Sequence, residues 1–179
     1  AAGKTTLLKT TLFNIILCQQ IGYGFFDNAE IKIYDFIHCY INIPDTSNRD
    51  SLFQAEAKQC KKILDFIEEN NNKNHLCVFD ELFSGTNPDE AVKSGYGYLK
   101  HINRENVNFI LTSHYYKLCK MLEKQDSKIK NYHMEIKKSP NNEDFNFTYK
   151  LKKGISKVKG GIKVLNDLQF PESIIKEVE

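Results

Sequence analysis

The chain has 179 residues, 41% of them apolar, enough for one domain with a core of its own. Its formal net charge is +2 with 27% charged residues, which lacks the strong basic excess of a chain that grips nucleic acid along its whole length. No apolar run approaches the roughly 18 residues of a membrane span, and the five cysteines are widely spaced with no C-x-x-C, so neither a disulfide framework nor a zinc spacing is present.

Cys18, Cys39, Cys60, Cys77 and Cys119 are therefore expected to be small buried apolar side chains. Such cysteines are expected in an intracellular, reducing compartment, cytoplasm or nucleus.

The chain opens with "AAGKTTLLK", the second half of a phosphate-binding loop of the form G-x-x-x-x-G-K-S/T. The first glycine of that pattern falls upstream of Ala1. The expectation is a longer chain cut within the loop, with the strand before the loop also upstream. Leu7, Leu8, Leu12, Ile15 and Ile16 recur at helical spacing. They predict a helix from Lys4 to about Ile21, apolar on most sides and buried beneath a sheet.

"YGFFDNAEIKIYDFIHCYINI" is rich in β-branched and aromatic residues and reads as one or two strands. "PDTSNRD" is a loop. Ser51 to Glu69 predicts a second helix, ended by "NNNKN". "HLCVFDE" reads as a buried strand that finishes in two acids. A third helix is expected from Pro88, tolerated in a first turn, to about Asn103. "VNFILTSH" is the next buried strand, followed by a short helix from Tyr116 to Lys124. "NYHMEIKK" and "FNFTYKLKK" flank "SPNNED" as an antiparallel hairpin. The tail predicts two short helices split at Pro171. The fold class is α/β: a mostly parallel sheet flanked by helices on both faces, with a C-terminal antiparallel hairpin and short helices. The lysines clustered around the hairpin read as solvated strand ends and loops rather than a DNA contact.

Four stretches carry chemistry. Gly3, Lys4 and Thr5 lead straight into a helix, whose N-terminal N–H groups and dipole favour phosphate. Lys4 would reach the β- and γ-phosphates, and Thr5 would offer its hydroxyl to Mg²⁺. Asp80 and Glu81 end a buried strand, where ligands bind in open α/β sheets. Asp80 suits a magnesium shell, and Glu81 suits orientation or deprotonation of an attacking water. His114 falls just past another buried strand and could bond a γ-phosphate or the water. His38, His75, His101 and His133 have no such company and read as structural. Ser51 opens a helix after a polar loop. Its residue type alone favours a helix cap, with an anion-binding serine as the alternative.

Together "AGKTTLLK", "SLFQAEAKQ", "CVFDELFSGTNPDEA", "FILTSHYYKL" and "GGIKVLNDLQFPESII" resemble the ATPase domain of the MutS family, within the ABC-type P-loop ATPases. The resemblance covers residues 1–179 as one C-terminal ATPase domain. It implies a P-loop NTPase fold, an ATPase that uses ATP and Mg²⁺, and two such domains, in a homo- or heterodimer, that share two ATP sites. Ala2, Gly3, Lys4, Thr5 and Thr6 would line the phosphates, with Thr5 and Asp80 at Mg²⁺. Glu81 would be the general base, and His114 the strand-end histidine of the family. Ser51 would act in trans on the partner's γ-phosphate, so the resemblance favours that role over the cap. Ser84–Glu90 would form the loop that communicates between sites. DNA would be engaged by domains upstream of these residues, and no membrane is implied.

Two departures point to a divergent MutS-related branch, acting in recombination or on other DNA structures rather than in mismatch repair itself. "FSGTN" stands where repair members carry "GRGTS", and Leu52 stands where they carry Thr. Two other readings were weighed: an ABC-type engine serving another system, and a nucleotide-binding interaction module without turnover. The stretch ahead of "LCVFDE" has no L-S-G-G-Q-like glycines, which speaks against a transport engine. Lys4, Asp80 and Glu81 are all present, which speaks against a module without turnover.

Overall fold

A computed structural model describes residues 3–41, 43, 51–138, 145–156, 158 and 160–178. The loop expected at 44–50, the turn expected at 139–144 and the phosphate residue Ala2 lie outside them. The element order is α1 (Lys4–Ile21), β1 (Phe36–Tyr40), α2 (Leu52–Glu69), β2 (His75–Asp80), α3 (Pro88–Ile102), β3 (Val107–Thr112) and α4 (Tyr116–Gln125), then β4 (Tyr132–Lys138), β5 (Phe145–Lys153), α5 (Gly160–Asp167) and α6 (Glu172–Val178). The chain divides into two compact units, Ala1–Asn131 and Tyr132–Glu179.

In the first unit β1, β2 and β3 form a parallel sheet in that order, with β2 in the middle. The register sets Tyr40 beside Phe79 and Asp80 beside Thr112. β2 explains its own position. Five of its six residues are buried, as a strand covered on both faces requires. Leu76 and Val78 meet Leu8 and Leu12 of α1 on one face. Cys77 and Phe79 meet Cys60, Ile63 and Ile67 of α2 on the other, where Ala91, Val92 and Leu99 of α3 and Leu118 and Leu122 of α4 complete the main core. Strand alternation thus sends successive β2 residues to two different cores.

The helices begin and end where the sequence says. Asn87 caps α3, its side chain accepting from the Glu90 N–H at 3.0 Å, and Pro88 occupies the first turn. α1 is closed at both ends by glycines in the left-handed region, Gly3 (φ 80°) and Gly22 (φ 74°).

Three expectations need correction, and a fourth is narrowed. α1 buries one face only: Leu8 and Leu12 are covered, whereas Phe13 and Ile21 are exposed. The stretch expected to hold one or two strands holds one, β1, and the residues before it are not a strand. Side chains of α1 satisfy their backbone instead: Asn14 accepts from the Phe25 N–H at 2.6 Å, and Gln19 accepts from the Tyr34 N–H and donates to the Tyr34 carbonyl. β3 is only partly buried, with Asn108 exposed, because β2 alone flanks it among the described residues. Of the cysteines only Cys60 and Cys77 are buried, and Cys39 is exposed. Burial pushes both buried thiols up to about 12, which leaves them inert.

In the second unit β4 and β5 pair antiparallel, with a register irregularity between Met134 and Ile136. α5 and α6 follow, separated at Pro171. No helix among the described residues is long and apolar enough to cross a membrane.

Candidate functional site

Parallel pairing brings the C-terminal ends of β2 and β3 together, and α1 starts beside them. The Thr5 hydroxyl, in the first turn of α1, donates to Asp80 Oδ1 at 3.1 Å. The Thr112 hydroxyl, at the end of β3, donates to the same oxygen. Two hydroxyls from separate elements therefore fix one carboxylate, and Asp80 Oδ1 ties the helix start to both strand ends. Thr112 lies in the "FILTSHYYKL" stretch that carries the resemblance, but the sequence gives its side chain no role. Its signal was present: in parallel strands the residue two before His114 falls opposite Asp80.

The next residue turns sharply. Glu81 has φ 53° and Phe83 φ 58°, left-handed values that side chains other than glycine adopt at a cost. The Glu81 N–H still bonds the Thr112 carbonyl at 3.1 Å, which extends the ladder by one rung. Leu82 and Phe83 then drop into the core. The effect is to leave the Glu81 carboxylate half-exposed at the rim, with His114 Nδ1 at 3.6 Å from its Oε1. The His114 ring lies 4.1 Å from that of Tyr115.

At the α1 N-terminus the first intrahelical bond is Leu7 N–H to Gly3 carbonyl, 2.9 Å. By helix geometry the N–H groups of Lys4, Thr5 and Thr6 precede it and have no partner within the helix. No side chain caps this end and no acid sits in its first turn, so the Asp80 carboxylate bonded to Thr5 is the negative charge beside its partial positive end. The oxygen groups gathered here are the Asp80 carboxylate and the Thr5 and Thr112 hydroxyls. That set suits magnesium, which takes few protein ligands and relies on phosphate and water oxygens for the rest. Among the described residues no group of three or more His, Cys, Asp or Glu could hold a metal by itself.

Ser51 stands apart from this group. It caps α2 in a reciprocal box: its hydroxyl accepts from the Gln54 N–H at 3.3 Å, and Gln54 Oε1 accepts from the Ser51 N–H at 3.0 Å. The remaining histidines have structural partners. His101 meets Glu68 and Arg104, and His133 meets the Gly154 carbonyl. His75 is fully buried, with Nε2 on the Asn70 carbonyl and Nδ1 3.0 Å from His38 Nε2.

One carboxylate belongs to the "SLFQAEAKQ" stretch that carries the resemblance, but the sequence gives it no role. Glu56 of α2 is 2% exposed. Its Oε1 accepts from the Ser84 N–H at 3.0 Å and the Ser84 hydroxyl at 2.9 Å, and its Oε2 accepts from the Gly85 N–H at 3.0 Å. Burial, followed by this carboxylate, pushes the Tyr40 phenol far up. An acid on the apolar face of α2, five residues after its cap, was the available signal.

These features define an α/β domain with an oxygen-lined site where two parallel strands end against a helix N-terminus. The chain belongs to the MutS domain V family, whose family model matches residues 1–179. It is 30% identical over 179 residues to the DNA mismatch repair protein MutS of Phocaeicola vulgatus, covering 98% of this chain and 20% of that protein. It is 32% identical over 184 residues to the DNA mismatch repair protein MSH2 of Saccharomyces cerevisiae, covering 97% and 18%. It is 28% identical over 177 residues to endonuclease MutS2 of Streptococcus uberis, covering 99% and 22%. The chain thus spans about a fifth of the length of the curated relatives it matches.

Proposed function

We propose that residues 1–179 form an ABC-type P-loop ATPase domain that binds and hydrolyses ATP with Mg²⁺, in a MutS-like DNA repair or recombination protein. In this reading ATP drives a conformational change on mismatched or structured DNA, which other domains engage. A second ATPase domain, from the same or a related chain, pairs with this one. The observation that carries the reading is the convergence of the Thr5 and Thr112 hydroxyls on Asp80, with Glu81 and His114 beside them. Sequence similarity to proteins named for mismatch repair supports the repair context. The reading of a divergent branch rests on "FSGTN" and Leu52 in the sequence alone.

Bound ATP would supply a terminal phosphate for transfer to water, and bound Mg²⁺ would neutralise charge on the phosphates. Ala2, Gly3, Lys4, Thr5 and Thr6 hold the phosphates through helix-start N–H groups and the Lys4 ammonium. Thr5 and Asp80 serve as the metal's protein ligands. Glu81 takes the proton of the attacking water, and His114 orients that water or the γ-phosphate. Ser51, at the start of α2, contacts the γ-phosphate held by the partner domain.

Glu81→Gln in the complete protein tests the assignment. Loss of a general base should slow hydrolysis by about a hundredfold or more while ATP still binds. Lys4→Ala should weaken ATP binding itself. Unchanged turnover in Glu81→Gln would remove Glu81 from the chemistry, and absent turnover in the unaltered protein would favour a nucleotide-binding module.

A further inference from the structure

Glu56 is buried, charged in type, and spends its oxygens on the backbone of a single turn. That turn, Glu81 to Gly85, carries the proposed general base in a left-handed conformation that Glu81 does not favour by itself. Something must hold it. Three hydrogen bonds from Ser84 and Gly85 end on Glu56. The Phe83 N–H also reaches the Tyr40 hydroxyl, at 3.4 Å. Gly85 presses on the start of α2, where an added Cβ would lie 2.8 Å from the Phe53 nitrogen. The turn is therefore clamped to α2, and the clamp is one carboxylate.

We propose that Glu56 is a positioning residue for hydrolysis: by anchoring Ser84 and Gly85 to α2 it fixes the strained turn that presents Glu81 at the strand end. This rests on the proposed ATPase function and deepens it. Both backbone N–H groups and the Ser84 hydroxyl are donors, so both Glu56 oxygens must accept. A glutamine at this position has one accepting oxygen. However its amide is turned, its NH₂ faces a backbone N–H, and one anchor becomes a donor–donor contact. Glu56→Gln is nearly the same size, so it tests the hydrogen bonds rather than the packing. The same helix opens on Ser51, five residues earlier, so α2 also joins the proposed in-trans contact to the turn of its own domain.

The test measures kcat, KM and equilibrium ATP affinity in the complete protein for Glu56→Gln, Ser84→Ala, Glu81→Gln and the two combinations with Glu81→Gln. Glu56→Gln should lower kcat by about tenfold or more with ATP affinity within about twofold of the unaltered protein, the pattern of an interaction needed only for the chemical step. Ser84→Ala should do the same more mildly. In the Glu81→Gln background neither change should slow turnover further, because both act through Glu81. A purely structural defect would instead multiply with Glu81→Gln, and that result overturns the proposal, as does full kcat in Glu56→Gln. If Glu56→Gln does not fold, Ser84→Ala decides by the same criteria. If Glu81→Gln itself leaves turnover unchanged, the ATPase assignment fails and the positioning role fails with it. If only the Glu56 and Ser84 arms disagree, the ATPase assignment stands.

Discussion

Asp80→Asn separates the two duties of Asp80. In the structure the Thr5 and Thr112 hydroxyls both end on Oδ1. An amide oxygen at that place can still accept from both. A hydrogen bond to a charged acceptor contributes about 1.5–3 kcal/mol and one to a neutral acceptor about 0.5–1.5 kcal/mol, so the weaker bonds cost about 1 kcal/mol each and about 2 kcal/mol together. Easier desolvation of the neutral amide offsets part of this. Asp80→Ala is harsher: both acceptors go, and the buried Thr112 hydroxyl loses its partner, adding about 1–3 kcal/mol. Denaturant unfolding of the complete protein should therefore rank unaltered, Asn and Ala in that order. Mg²⁺-dependent hydrolysis should not follow that order. A metal ligand contributes several kcal/mol of charge stabilisation, so both variants should lose on the order of a hundredfold in turnover. Asp80→Asn with normal stability, normal kcat and an unchanged magnesium requirement would refute the reasoning, leaving Asp80 a strand-end tie and nothing more.

Three further outcomes are expected. Ser51→Ala should cost about 1 kcal/mol as a cap loss, yet reduce ATP turnover much further. Mixing it with Lys4→Ala under exchange conditions should restore part of the activity, since both lesions then fall on one composite site, and an activity no higher than either variant alone would confine Ser51 to capping. His38 should make stability depend on acid. Burial, then its neighbour His75, lowers its folded pKa from 6.5 to about 4. As pH falls below 6.5 the unfolded chain takes the proton first, so stability is full above that value and declines toward about 4. Because the Asn70 carbonyl only accepts, His75 carries its proton on Nε2 and His38 donates to its Nδ1. His38→Gln keeps a donor there and should flatten the slope, and an equal slope in that variant would assign it to other groups. Gly85→Ala should push the turn off α2, since the new Cβ would fall 2.7 Å from Leu52 Cγ. Hydrolysis should then drop more than ATP binding, read as kcat against binding affinity, and parallel losses would show general disruption.

Local chemistry made much of this domain legible before any coordinates. Ser51 with Gln54, and Asn87 with Glu90, mark helix starts by hydrogen bonds that span three residues, so the sequence alone sets them. The run "HLCVFD" is apolar without alternation, and only a strand covered on both faces tolerates that. Asp80, Glu81 and His114 were legible as candidates because strand ends are readable and parallel strands point their ends the same way. Tertiary structure decided what depends on pairing and on distant partners. Parallel register gave Asp80 its second hydroxyl, from Thr112, 32 residues away in sequence. The exposure of Phe13 and Ile21 follows from α1 meeting a flat sheet, which can cover one side of a cylinder but not all of it. Asn14 and Gln19, ordinary polar residues by type, became backbone partners for a segment whose composition reads as strand. Glu56 is the clearest instance. Its place on the apolar face of α2 hints at burial but names no partner, and only the fold of the turn after β2 gives its oxygens three donors. A buried carboxylate is defined by what surrounds it, and those surroundings lie 28 and 29 residues along the chain.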